Sequence, residues 1–537
     1  MVKIPSRAWV RRVPLWAWWA FGFVLLCFLY EYGRILHLRP LAHHLWRQTN
    51  CLSLTREYYV GEWNLFKPGV QSLIADGLTT GKSAGEFPLL YYVMGMLWKL
   101  IGPSEFAYRV LMLAIHAWGS WALCRLVERL TNDRFWGVMV SLFFFTVPAV
   151  VYFAIGFLTD VPALDLVLVG CLAYLRYMKG GGKSQLALGT AAFALGMLLK
   201  LTAAMLPLAL AGIGLLALAF PDRFAIPGMN KERLRRMLAS IAVGLMATAA
   251  WVAYSYQYNR VHGAEYSYQG TWALWDLSHE DAAKAWDFAR TIMVHQFFTL
   301  PGYALLVFFG LYLVRYVRSL PKAVLLFLAV LVGGVILYTL LWFIALDNHD
   351  YYFIAPLVLP IAVVIIALWH MRNRGHLLYR SFWFKGVFLL VTVYQVVFAM
   401  NNIRMRQQDY TMAGWMRTNA VEREHWRLTQ YWDMTGLLDI EPIARLHGIR
   451  PDDIIVAAPD ISVCQTLYLS NQVGFNEFGR PELHCPDLVN FVEHGAKYFY
   501  LIGDGEELRG RFAGCLGNPL FEHGAIKVYD IRHLADR

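Results

Sequence analysis

Charge is scarce in this sequence. Only 16% of its 537 residues are Asp, Glu, Lys or Arg, against about a quarter in a soluble globular chain. Hydrophobic residues make up 58%, so a single large soluble core is excluded. Cysteine is sparse as well: there are seven, scattered, with no CxxC pattern, which removes a cysteine-built metal site. Cys27, Cys124 and Cys171 fall in apolar runs and read as core. A small-residue cleavage site is also missing after the first apolar run, Trp16 to Tyr32, which follows Arg7, Arg11 and Arg12. That run therefore reads as a retained span and not as a signal peptide. The net charge of +10 does not point to nucleic acid. The Lys and Arg residues sit mostly in short loops between apolar runs, where membrane orientation and contact with anionic lipid account for them.

What the chain has in abundance is apolar runs of about 18 residues or more, the length of a membrane-crossing helix. Basic segments belong on the cytoplasmic side. Here these are the N-terminus with Lys3, then Arg125–Arg134, Arg176–Lys183, Arg223–Arg236, Arg315–Lys322 and Arg372–Lys385. An even number of spans between each pair is met by runs near 16–32, 106–124, 136–153, 160–175, 185–200, 202–219, 237–256, 297–314, 323–346, 351–369 and 384–400. The expectation is a polytopic α-helical membrane protein of about eleven helices, N-terminus inside and C-terminus outside. Phe87 to Leu100, with Lys99 near its end, is too short to span and reads as an interfacial or re-entrant helix. The transmembrane domain is then 1–400. It has one external loop at 37–104, which contains that helix, and a second at 257–296. Leu346–Asp350 is a short third external segment.

Past Asn401 the composition changes. "DDIIVAAPD", "AKYFYLIGD" and "IKVYDI" read as strands and "ISVCQTLYLSNQ" as a helix, which predicts a soluble α/β domain over 401–537. Cys464 and Cys485 are the candidate disulfide there, with Cys515 left over.

Polar residues are expensive at membrane depth and normally pair, face a cavity or work. The predicted topology collects several at the outer ends of spans. Glu86 starts the interfacial helix, Asp160 lies next to Pro162 in "GFLTDVPALDL", Lys200 in "LLKLTAA", and His349, Asp350, Tyr351 and Tyr352 in "DNHDYYFIAPL". Arg47, Gln48 and Asn50 lie in the first loop. Each has a plainer reading: Asp160 as a helix cap, Lys200 snorkelling to headgroups, the tyrosines as an aromatic belt. Taken together they suit group transfer from a phosphate-linked donor. Glu86 and Asp160 would serve as base or metal ligands, Arg47 and Lys200 as phosphate holders. Asp165, five residues deeper than Asp160, requires a partner that the sequence does not name.

The stretches "HLWRQTN", "SLTREYY", "EFPLLYY", "GFLTDVPAL", "LLKLTA" and "NHDYYFIAPL" occur in that order, and over roughly residues 10–370 the chain resembles glycosyltransferase family 39 of the GT-C superfamily. That group holds the bacterial relatives of dolichyl-phosphate-mannose protein mannosyltransferases and the lipid A aminoarabinose transferases. The resemblance implies a mannosyltransferase-like enzyme of the bacterial cell envelope, multi-pass in the inner membrane, with the α/β domain periplasmic. It implies a polyisoprenyl-phosphate sugar donor, transfer with inversion at the outer membrane face, and a lipid A, polysaccharide or protein acceptor. In some members a divalent metal assists. By position Glu86 and Asp160 match the family's acidic residues and are the candidate catalytic residues and metal ligands. Arg47, Gln48, Asn50, Lys200, His349, Asp350, Tyr351 and Tyr352 are the candidate substrate-binding set. One departure stands out. Relatives often carry an acid where this chain has Asn50, and an amide cannot act as a general base. Two other readings stay open: a transporter or flippase without chemistry, and an inactive GT-C scaffold.

Overall fold

The computed structural model describes residues 13–40, 43–224, 226, 229–264, 270–407, 425, 432–480, 482–503 and 505–536. The N-terminal basic residues used for orientation lie outside them. The chain divides into two compact units. One comprises 1–36, 109–250 and 271–425, the other 37–108, 251–270 and 426–537.

Every one of the eleven apolar segments is helical. The helices are Leu15–Leu29, Glu105–Thr131, Arg134–Phe145 followed by Pro148–Phe153, Asp160–Met178, Lys183–Leu199, Leu201–Ala219, Lys231–His262, Leu300–Arg315, Lys322–Leu341, Asp350–Asn373 and Phe382–Arg406. Seven of these are long and apolar enough to cross a membrane. The chain is a multi-pass helical membrane protein. The break between Phe145 and Pro148 has a local cause: Pro148 offers no amide to the preceding turn and starts a new helix at its first position.

In the first unit Asp165 finds its partner. His116 Nδ1 lies 3.1 Å from its carboxylate, and both residues are buried. Gly119, one turn further along the His116 helix, makes the approach possible. A Cβ there would stand 2.2 Å from Asp165 Oδ1.

In the second unit the C-terminal segment forms a five-stranded sheet in the order β2-β1-β3-β5-β4. The strands are β1 (Ile454–Ala458), β2 (Val473–Phe475), β3 (Ala496–Ile502), β4 (Phe521–His523) and β5 (Ile526–Asp530). β1 pairs in parallel with β2 and β3, whereas β5 runs antiparallel to β3 and β4. β1 is buried along most of its length, which is why it reads as an unbroken apolar run instead of an alternation. The three strands expected from the sequence are β1, β3 and β5. β2 and β4 are three residues each, too short to show periodicity.

Part of the segment predicted as the first external loop folds with this sheet. Gly474 of β2 donates its amide to Gln71 O at 3.1 Å. The Gln71 side-chain amide donates to Leu467 O and Gln472 O, at 3.0 and 2.6 Å. Ile74 enters the sheet's own apolar core beside Val456, Phe475, Phe491 and Phe499. The edge of β2 is therefore covered and not left open to pair with another chain.

The disulfide differs from the expectation. Cys485 is bonded to Cys515, with the Cα atoms 5.8 Å apart, and Cys464 is free and fully buried. Cys485 opens the Cys485–Glu493 helix, and Cys515 follows the Glu506–Phe512 helix. Both sit at the apolar cluster of the sheet. Cys464 instead lies just ahead of the Gln465–Leu469 helix, where burial pushes its thiol up to about 12.

Candidate functional site

The candidate residues fall into two constellations, one in each unit. In the first unit, Asp160 is the first residue of its helix and Thr159 occupies the cap position. Asp160 is therefore not the N-cap. Its carboxylate meets Lys200 Nζ at 3.1 Å. Lys200 stands where the Lys183–Leu199 helix ends, so its side chain is set by a helix terminus. Its ammonium also lies over the rings of Tyr352 and Tyr351, at 4.9 and 5.6 Å from their centroids. The plain reading of Lys200 as a snorkelling cation does not describe this place: its side chain is 11% exposed and paired. A buried ion pair costs desolvation that its attraction alone does not always repay, so it signals a site more readily than it signals stability.

The turn that presents the tyrosines has its own anchors. Tyr338 donates to Tyr352 O at 2.9 Å. Asp350, buried, accepts from Arg406 Nη2 at 2.5 Å. His349 Nδ1 is 2.8 Å from Asp347 O, and its ring packs near Trp272 and Tyr352. Of the residues expected here, Asp160, Lys200, Tyr351 and Tyr352 form one contact set, and Asp350 joins it through the turn.

In the second unit, Glu86 accepts from Arg47 on one carboxylate oxygen and from Tyr91 Oη on the other, at 3.0 Å. Arg47 comes from the Leu45–Val60 helix and Tyr91 from Leu89–Ile101, the segment expected to lie at the interface. Asn259 holds the backbone before Glu86 by both ends of Ala84. It accepts from the Ala84 amide at 2.7 Å and donates to the Ala84 carbonyl at 2.8 Å. Trp251 Nε1 donates to Gly85 O at 3.0 Å. Gln48 donates to His43 O at 2.7 Å. Asn50 is fully buried in the middle of its helix.

The carboxylates do not fit a divalent metal as they stand. A hard cation takes several oxygen ligands, whereas Glu86 already faces a guanidinium and Asp160 an ammonium. Sequence reasoning missed Arg406, His116, Tyr91 and Asn259. His116 could have been sought as the partner of Asp165. "NNIRMRQ" around Arg406 carries no signal beyond loop charge.

Residues 84–254 match the family model described as dolichyl-phosphate-mannose-protein mannosyltransferase, a span that contains Glu86, Asp160 and Lys200. No curated protein matches the chain by sequence. Among solved structures the chain is similar to ArnT from Cupriavidus metallidurans in the apo state, at 14% identity and a TM-score of 0.56, covering 96% of this chain and 98% of that one. It also matches the oligosaccharyltransferase of Archaeoglobus fulgidus (13% identity, TM-score 0.47, 90% of this chain and 69% of that one). A third match is the mycobacterial arabinofuranosyltransferase AftD (13%, 0.47, 96% and 40%). The chain therefore shares the fold of ArnT over nearly its whole length, and residues 84–254 carry the match to the dolichyl-phosphate-mannose-protein mannosyltransferase family model.

Proposed function

We propose that the protein is an integral membrane glycosyltransferase that moves a sugar from a polyisoprenyl-phosphate donor to a lipid, glycan or protein acceptor, with inversion, at the periplasmic face of a bacterial inner membrane. The observation that carries this reading is the Asp160–Lys200 pair under two tyrosine rings, within the segment that matches the mannosyltransferase family. The reaction breaks a sugar–phosphate bond and forms a bond from the anomeric carbon to an acceptor oxygen. It needs a base for the acceptor's proton and cations for the phosphate that leaves. Asp160 and Glu86 are the candidate bases. Lys200 and Arg47 are the candidate phosphate ligands, with Gln48 and Asn50 as neutral hydrogen-bonding groups. The tyrosine rings offer flat apolar walls with a hydroxyl edge, suited to a sugar face.

The test uses the purified full-length chain in detergent. Polyisoprenyl-phosphate-linked sugars are added singly with an acceptor lipid extract, and release of the free lipid phosphate is followed. Release by the natural chain is expected, with a loss of about 10²–10⁴-fold in Glu86→Gln and in Asp160→Asn while both stay folded. Near-natural turnover in both variants would remove the proposed site. No release with any donor would favour transport without chemistry.

A further inference from the structure

Arg406 is the last residue of the Phe382–Arg406 helix and is wholly buried. A buried guanidinium is costly unless it is paired, and the partners of its Nη2 are specific. Nη2 bonds Asp350 Oδ2 and Gln296 Oε1, both at 2.5 Å, and Asn402 one turn earlier donates to the same Gln296 oxygen at 2.9 Å. The guanidinium lies 4.9 Å from the ring centre of Tyr152 and 5.8 Å from that of Phe153. Phe153 in turn meets Tyr351 edge-on at 5.8 Å. Arg406 therefore reaches the Asp350–Phe353 turn by two routes, one through the Asp350 carboxylate and one through the Phe153 ring. That turn presents Tyr351 and Tyr352 to Lys200, and Lys200 meets Asp160. Apolar side chains of similar volume often stabilise a core as well as a buried ion pair does, so stability alone does not account for an Arg–Asp pair here. A charged pair fixes direction, which apolar packing does less well.

We propose that Arg406 and Asp350 are positioning residues, which set the turn whose two tyrosine rings hold the Lys200 ammonium against Asp160. The kinetic part of this proposal rests on the transferase reading above, but its structural part does not. Each of the two residues acts through others: Asp350 through the backbone of its turn, and Arg406 through Asp350 and Phe153.

The experiment reads Lys200 directly. The full-length protein in detergent is treated with a small amine-reactive reagent, and the modification rate of each lysine is followed by mass spectrometry in the natural chain, Arg406→Met and Asp350→Asn. Lys200 is expected to react about tenfold faster in both variants, the scale of losing desolvated ring contacts to a cation. Exposed Lys322 should keep its rate. Should Arg406→Met not accumulate, Arg406→Lys is read in the same way. It keeps the charge but, being a shorter and non-planar point charge, does not reproduce the placement of the Nη2 that bonds both Asp350 and Gln296, and an intermediate rate is expected. An unchanged Lys200 rate would overturn the proposal. So would a parallel rise at Lys200 and Lys322, which would mark general loosening. With an active donor, the variants should lose about tenfold in kcat with KM nearly constant, as misplacement of a bound reactive group does. If no donor turns over at all, the labelling result still decides the positioning role, so the two failures are distinguishable.

Discussion

At the scale of single residues, the structure bears on where the general base resides. Asn50, where the family resemblance leads to the expectation of an acid, has no exposure. A carboxylate placed there would be buried and would have to pay for its own desolvation. Asn50→Asp is therefore expected to lower thermal stability and to leave turnover no higher than in the natural chain. A gain of about tenfold or more in lipid-phosphate release, a lowering of the barrier by about 1.4 kcal/mol, would show instead that the natural chain is a weakened enzyme. Asp76 gives a residue-scale prediction about pH. Burial pushes its carboxyl up. The Thr80 hydroxyl and the backbone amides of Lys82, Gly81 and Thr80 outweigh that and hold it below its ordinary 3.8. A depressed carboxyl contributes stability that is present above its unfolded value and lost as pH falls through the folded one. Asp76→Asn should thus unfold more easily at neutral pH, and the difference from the natural chain should vanish as acidification protonates the depressed carboxyl. Thermal unfolding across that range checks it, and a difference that stays constant with pH would refute it.

At the scale of elements, the segment 69–74 is a part of the C-terminal sheet in all but chain order. Gln71 pairs with the β2 edge, and Ile74, 1% exposed, sits among the strand side chains. Gly474, whose amide bonds Gln71 O, also lets β2 lie close against β1. A Cβ there would lie 1.9 Å from Ile455 O, so β2 tolerates no side chain at that position. Ile74→Ala removes buried methyl groups from a packed core and is expected to cost about 2–5 kcal/mol. Hydrogen exchange should then rise in β1 and β3 together with the loop. Exchange confined to the loop would mean that the loop is an appendage and not part of the sheet's core. The same logic holds for His116 and Asp165, which join two apolar helices at one glycine. Apolar runs predicted both helices, but only their packing supplied the partner.

At the scale of the whole molecule, the disulfide offers a check on compartment as well as on fold. Disulfides persist in oxidising surroundings, and the proposed periplasmic placement of the C-terminal region requires one that forms. Peptide mapping without reduction should find Cys485 linked to Cys515 and Cys464 as a free thiol. A Cys464–Cys485 link would contradict the sheet connectivity, and three free thiols would argue for the cytoplasmic side. The two units also show which features are written locally and which are not. Helix-forming apolar runs, the α/β character of the last hundred residues, and the acids and tyrosines beside span ends depend on residues close in sequence. Composition and period record such features, so the sequence by itself determined them. Tertiary structure alone decided that Asp160 pairs with Lys200, Glu86 with Arg47 and Tyr91, Asp350 with Arg406, and Cys485 with Cys515. It also decided that a loop near residue 70 completes a sheet beginning near residue 454. These contacts join residues far apart along the chain. The physical reason is that a side chain's local pattern states how deeply it is buried, whereas its partner depends on how whole helices and strands are packed.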